Sequence, residues 1–149
     1  SATDFQHDFQ VNVLGFVQCM QAILPRLKKA DGSSVVVFST VAAKIGLGFH
    51  ASISSAKGAL EGLALSLASE LAPSKIRVNV VAPSLTDTPL ASALLNTPEK
   101  LEAAGKRHPL QRVGSVDDMA SAARFFLSDG ASWITGQCLT VDGGMSKLK

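Results

Sequence analysis

Apolar residues near the start of the chain return with a helical rhythm. From Asp4 to Lys29, Phe9, Val13, Phe16, Met20, Ile23, Leu24 and Leu27 recur at three- and four-residue steps, which lines one face of an amphipathic helix. Asp31-Gly32-Ser33 breaks the pattern, and Ser34-Val35-Val36-Val37-Phe38 follows as a short, uninterrupted apolar run. Such a run suits a parallel strand covered on both faces. Residues 39–50 hold two glycines and no period, so they read as a loop leaving the carboxyl end of that strand, where open sheets bind ligands.

The pattern then repeats. Ile53, Lys57, Leu60, Leu63, Leu67 and Leu71 predict a second helix ending at Pro73, and Ala56, Ala59, Gly62, Ser66 and Ser69 give it a further face of small residues that lets another helix approach closely. Lys75 to Ala82 reads as a strand closed by Pro83. The stretch from Ser84 to Gly114 is rich in Ala, Leu and Pro without a clear period, and loops of that length in compact domains serve as lids or binding elements. Ser115 is placed to N-cap a third helix with Asp117 and Asp118 in its first turn, and Met119, Ala122, Ala123, Phe126 and Leu127 supply the buried stripe. Cys138 to Asp142 is a last strand, stopped by Gly143-Gly144. Helix and strand alternate without a hairpin signal, which predicts an α/β fold with a doubly wound parallel sheet in one domain over residues 1–149.

Composition narrows this picture. With 149 residues, 46% hydrophobic and 17% charged, and a formal net charge of +2, the chain suits one folded domain and fits neither disorder nor a polybasic nucleic-acid binder. No apolar run reaches the roughly 18 residues of a membrane helix, and the opening residues lack the features of a signal peptide, so the expectation is a cytoplasmic protein without nucleic-acid or membrane partners. Cys19 and Cys138 are far apart with no ligand-spaced His or Cys nearby, which predicts two buried free thiols and no metal site. The sequence contains no Tyr, so that catalytic acid is missing outright. The lack of an initiator Met and a start inside an amphipathic pattern predict that further residues precede Ser1.

Six segments in order resemble the short-chain dehydrogenase/reductase family of Rossmann-type, NAD(P)-dependent oxidoreductases. Phe9-Gln-Val-Asn12-Val-Leu-Gly15 resembles the family's helix with its Asn, and Val37-Phe-Ser-Thr40-Val-Ala-Ala its strand and active-site Ser loop. Ser55-Ala-Lys57-Gly-Ala-Leu resembles the second half of the Tyr-x-x-x-Lys helix, Ile76 to Pro83 and Ser84 to Thr88 the strand and cofactor loop, and Ile134-Thr-Gly136 through Val141-Asp-Gly-Gly144 the closing strand. The resemblance runs from about Asp8 to Met145 and implies the carboxyl-terminal part of a single Rossmann-type domain that moves a hydride between NAD(H) or NADP(H) and a small carbonyl or alcohol. It also implies a homodimer or homotetramer paired through the two long helices.

Two departures accompany the match. The family's glycine-rich phosphate turn is absent; Gly46-x-Gly48 lacks a third glycine, so cofactor binding is expected to need an amino-terminal portion of about a hundred residues ahead of Ser1. The second is chemical. In the family pattern a Tyr stands four residues before the Lys, where the cation lowers the phenol pKa, and counting back from Lys57 gives Ile53. Asn12 and Lys57 match outright, and Thr40 keeps a hydroxyl where the family has Ser. The resemblance therefore implies catalytic roles for Asn12, Thr40 and Lys57, cofactor contacts from Lys57, Pro83 and Thr88, and a substrate pocket beside His50 and Ile53. Each position has a plainer alternative: a buried amide for Asn12, a strand cap for Thr40, a snorkelling stem for Lys57, a turn hydroxyl for Thr88 and an exposed helix-start residue for His50. His7 and His108 read as surface residues. Two functions remain open, an oxidoreductase with an atypical active site and a catalytically impaired nucleotide-binding or oligomerisation module.

Overall fold

In a computed structural model describing residues 1–148, the first helical pattern forms two helices rather than one. α1 (Ala2–Phe9) and α2 (Gly15–Leu27) are joined through a π-helical turn at Gln10–Leu14. The Asn12 amide donates to the Asp8 carbonyl at 2.8 Å, supplying a partner where the widened turn shifts the backbone ladder. The covered face is narrower than the apolar stripe: Val13 and Met20 are buried, whereas Phe9 and Ile23 stand exposed. Cys19 is exposed too, which corrects the expectation of two buried thiols, and Cys138 is half-buried.

Three parallel strands follow, β1 (Ser34–Phe38), β2 (Arg77–Pro83) and β3 (Cys138–Val141), in the order β1-β2-β3. Between β1 and β2 runs α3 (Ala51–Leu71), and α6 (Val116–Leu127) precedes β3. Side chains alternate across the sheet. Val37, Val78 and Val80 meet Met20 of α2 and Leu60 and Ala64 of α3, while Val36 and Val81 meet Met119 and Phe126 of α6. Helices thus cover both faces, as the uninterrupted apolar strands require. Two successive crossovers step the same way across the sheet over opposite faces, so they have opposite hands and one of them is the rare left-handed kind. The stripe of α6 is narrower than its pattern, with Leu127 53% exposed, and Phe38 is exposed at the end of β1.

Side chains on β2 fix the second crossover. The buried Asn79 amide donates to the Ile134 carbonyl at 2.9 Å and its oxygen accepts from Gln137 N–H at 3.0 Å, setting the entry to β3. Arg77 donates to the carbonyls of Phe126 (2.7 Å) and Ser128 (3.1 Å), satisfying the end of α6. At the start of α6, Ser115 and Asp118 form the expected capped terminus as a reciprocal capping box.

Residues 84–114 are more ordered than their weak patterning predicts. They form α4 (Ser92–Leu95) and α5 (Pro98–Lys106), with Thr97 accepting from Lys100 N–H at 3.3 Å as N-cap and Pro98 in the first helical turn. Gly114 closes this crossover against residues 85–87 through Gly114 N–H to the Leu85 carbonyl (3.0 Å) and Asp87 N–H to the Gly114 carbonyl (2.9 Å). A Cβ at Gly114 would lie 3.0 Å from Met119 Cε and 3.1 Å from Thr86 Oγ1, which explains glycine there.

Leu60 is 3% exposed in the α3–sheet core and Leu127 is 53% exposed. In the natural protein carrying this chain, Leu60→Ala is expected to cost about 2–5 kcal/mol in urea unfolding and Leu127→Ala within about 0.5 kcal/mol. Equal losses would contradict this division between core and surface.

Candidate active site

A cleft of about 710 Å³ opens where Phe38 and Pro83 end their strands, and Thr40, His50 and Thr88 also line it. Parallel strands put both carboxyl ends on one side, so the loops leaving β1 and β2 face each other. Thr40 Oγ1 accepts from Ala42 N–H at 3.2 Å and caps a 3-10 turn at Val41–Ala43, leaving its own O–H free to point elsewhere. Thr88 Oγ1 does the same for Ala91 N–H at 3.3 Å. Both hydroxyls hold the turns that carry them. The His50 ring is exposed, with Nδ1 2.6 Å from the Gly48 carbonyl; a carbonyl only accepts, so Nδ1 carries the hydrogen.

Asn12, Ile53 and Lys57 are not on the cleft lining. Lys57 is half-buried on α3, and its Nζ donates at 2.9 Å to the carbonyl of Phe38, which does line the cleft. Burial pushes the Lys57 ammonium below the usual lysine pKa. Ile53 lies one helical turn earlier and is half-buried. Asn12 sits at the seam between α1 and α3, where Ser52 Oγ donates to Asp8 Oδ2 at 2.6 Å and Asn12 donates to the Asp8 carbonyl.

Two groups of functional interest escaped sequence reasoning. Glu61, one turn beyond Lys57, accepts from Ser39 Oγ at 2.5 Å and pairs with Lys44 at 3.0 Å, which fastens the loop around Thr40 to α3. The four-residue step from Ile53 through Lys57 to Glu61 was the available signal. His108, expected on the surface, is instead 2% exposed. Its Nδ1 lies 2.9 Å from the Ala104 carbonyl and its Nε2 2.8 Å from Ser84 Oγ, and it reaches the cleft wall. The carbonyl takes the Nδ1 hydrogen, Nε2 shares a hydrogen bond with the Ser84 hydroxyl, and Met145 Sδ lies 3.2 Å from the same oxygen. The ring thereby ties α5 to the loop after β2. Asp142 is buried nearby; burial works to raise its pKa, and hydrogen bonds from Ser146 and from Gly144 N–H outweigh that, holding the carboxyl below its ordinary value.

Comparison with known proteins decides the family. The profile of a family described as Enoyl-(Acyl carrier protein) reductase matches residues 1–146. A tropinone reductase homolog of Arabidopsis thaliana is 34% identical over 146 residues, which are 98% of this chain and 56% of that protein. A short-chain type dehydrogenase/reductase from Mycobacterium ulcerans superposes with a TM-score of 0.92 at 31% identity, covering 100% of this chain and 54% of that one. The chain belongs to the short-chain dehydrogenase/reductase family. ElxO, solved with NADP bound, superposes with a TM-score of 0.90 at 29% identity over 97% of this chain and 59% of its own. This short-chain dehydrogenase/reductase chain thus spans somewhat more than half the length of these relatives, and its parallel sheet is the Rossmann-like one of the family.

The groups at the sheet's carboxyl end suit the nicotinamide half of a dinucleotide by their chemistry. The Lys57 ammonium has N–H groups beyond the one used on Phe38, and the Thr88 hydroxyl keeps its hydrogen; both can bond ribose hydroxyls or a carboxamide. Among the described residues no cluster of three or more His, Cys, Asp or Glu is arranged to hold a metal, and no helix is long and apolar enough to cross a membrane.

His108→Ala should remove a packed ring and the Nε2 partner of the Ser84 hydroxyl. The expected cost is about 2–4 kcal/mol in equilibrium unfolding of the natural protein, against about 1 kcal/mol for Ser84→Ala. A His108→Ala loss below about 0.5 kcal/mol would contradict the buried position.

Proposed function

We propose that the protein carrying this chain is an NAD(H)- or NADP(H)-dependent oxidoreductase acting on a carbonyl or alcohol, with an active site that lacks the family's Tyr. The observation that carries this reading is the meeting of Thr40, His50, Pro83 and Thr88 on one cleft at the carboxyl ends of β1 and β2, with Lys57 bonded to the cleft-lining Phe38. Lys57 would hold the cofactor ribose, and Pro83 and Thr88 would bind its nicotinamide end. When bound, the nicotinamide supplies or accepts the hydride. Thr40 offers its free O–H to the substrate oxygen. Asn12, through the π-turn, positions α1 against α3, which carries Lys57.

Ile53 has no proton to give, and this slows reduction at the step where the substrate oxygen takes one. His50 is an exposed imidazole on the cleft lining, the kind of side chain that can take the role of a proton donor. Ile53 and the absence of Tyr also support a second reading, a member of the fold that binds nucleotide without turning it over. Self-association completes the proposal: the small residues Ala59, Gly62, Ser66 and Ser69 stand exposed on α3, and Phe5, Phe9 and Leu14 stand exposed beside it. Such surfaces pair across a two-fold axis.

Calorimetry on the natural protein is expected to show nicotinamide nucleotide binding that falls about tenfold or more in Lys57→Ala. Ile53→Tyr is expected to raise NAD(P)H consumption with small ketones about 10²-fold. Undiminished affinity in Lys57→Ala would remove the ribose contact. Brisk turnover by the natural sequence that is lost in His50→Ala would overturn the impaired site and make His50 the acid. Nucleotide binding with no turnover, both in the natural sequence and in Ile53→Tyr, would establish the second reading.

A further inference from the structure

The cleft is apolar and carries no acid. Leu47, Leu85, Leu90, Leu94, Val116 and Met119 are among the apolar residues that make up most of its wall, and neither Asp nor Glu lines it. Its volume of about 710 Å³, shared with the nicotinamide end of the cofactor in the reading above, lies in the range of small-molecule sites. On this wall stands Arg107, the residue that ends α5. Its backbone N–H bonds the Ala104 carbonyl at 3.3 Å, which fixes where the side chain starts. Among the described residues nothing accepts a hydrogen bond from its guanidinium. Arg77, Arg112 and Arg124 each spend theirs on protein oxygens, whereas Arg26, which does not line the cleft, also has no such bond among the described residues.

An unpaired planar cation beside apolar walls is a receptor for a carboxylate, which it can bind through two parallel hydrogen bonds. Arg107 is itself exposed, so the pairing draws on the two-point geometry of its fork more than on exclusion of water. We propose that Arg107 selects the substrate: the cleft takes oxo acids, ketones with an apolar body and a carboxylate, and the matching hydroxy acids. This rests on the oxidoreductase reading above. The same cation could serve a phosphate of the cofactor. Pro83 and Thr88 of this cleft, however, belong in the reading above to the nicotinamide end of the cofactor, whose ring and carboxamide bear no negative charge for a guanidinium to pair. The substrate carboxylate is therefore assigned to it.

The test is calorimetry on the natural protein with decanoate bearing a mid-chain ketone and with the methyl ester of the same compound, alongside NADP and NAD. The acid should bind about tenfold tighter than the ester, and Arg107→Gln should weaken the acid about 10- to 100-fold while leaving the ester and both nucleotides unchanged. Arg107→Lys should keep part of the preference, since it retains the charge and loses the fork. Acid and ester binding equally, or neither binding, would overturn the assignment. Weakening of nucleotide in Arg107→Gln would overturn it as well, by giving the guanidinium to a cofactor phosphate. Failure of the oxidoreductase reading is distinguished by its own signature, absence of nucleotide binding and of NAD(P)H consumption, whatever the acid-to-ester ratio. Circular dichroism of each variant verifies that it is folded.

Discussion

A parallel sheet has no face to give to water, and in this molecule that constraint falls hardest on β2. Val78, Asn79, Val81 and Ala82 are fully enclosed, with α2 and α3 on one side, α6 on the other and a strand along each edge. An enclosed strand can hold a polar residue only if its groups are satisfied, and Asn79 meets that condition with both ends of its amide. The chain can leave such a sheet only at the strand ends. The loops after β1 and β2 are therefore forced to the same side, and the space between them is the cleft.

The electrostatics of the site follow from the same arrangement. Lys57 is drawn toward the sheet by the Phe38 carbonyl and loses part of its hydration, which favours the neutral amine relative to an exposed lysine. Glu61 would bring negative charge to the same face of α3, but Lys44 and the Ser39 hydroxyl engage it. The cleft is left with the Arg107 guanidinium and hydroxyls and without carboxylates, a setting whose charge suits an anion. His108 adds stiffness, because its ring spans from α5 to Ser84 and is bonded at both nitrogens.

The sequence made the sheet, the caps and the loop positions legible because each has a local cause. β-branched runs bounded by Gly or Pro became strands, and Ser115 with Asp118 became a capping box. Thr97-Pro98 carried the same kind of signal for α5 and was hidden by the surrounding Ala and Leu. Periodicity overstated burial: it shows that a face is apolar, not how much of it a neighbour covers, and Phe9, Ile23, Cys19 and Leu127 all fall on uncovered margins. The π-turn around Asn12 left no mark in the pattern because the side-chain bond to Asp8 shifts the helix without ending it. His108 could not be read from its neighbours, since its burial depends on Ser84 and Ala104, and Ser84 is distant in sequence.

The proposed function makes the two strand-end loops the parts of the molecule that respond to a nucleotide. Backbone hydrogen exchange of the natural protein, with and without saturating NADP or NAD, tests it most directly. The account predicts slowed exchange in residues 40–48 and 84–91, the segments that follow β1 and β2, with residues 129–137 at the far side of the sheet unchanged. Slowing confined to residues 129–137, or no change in either loop at saturation, would contradict it.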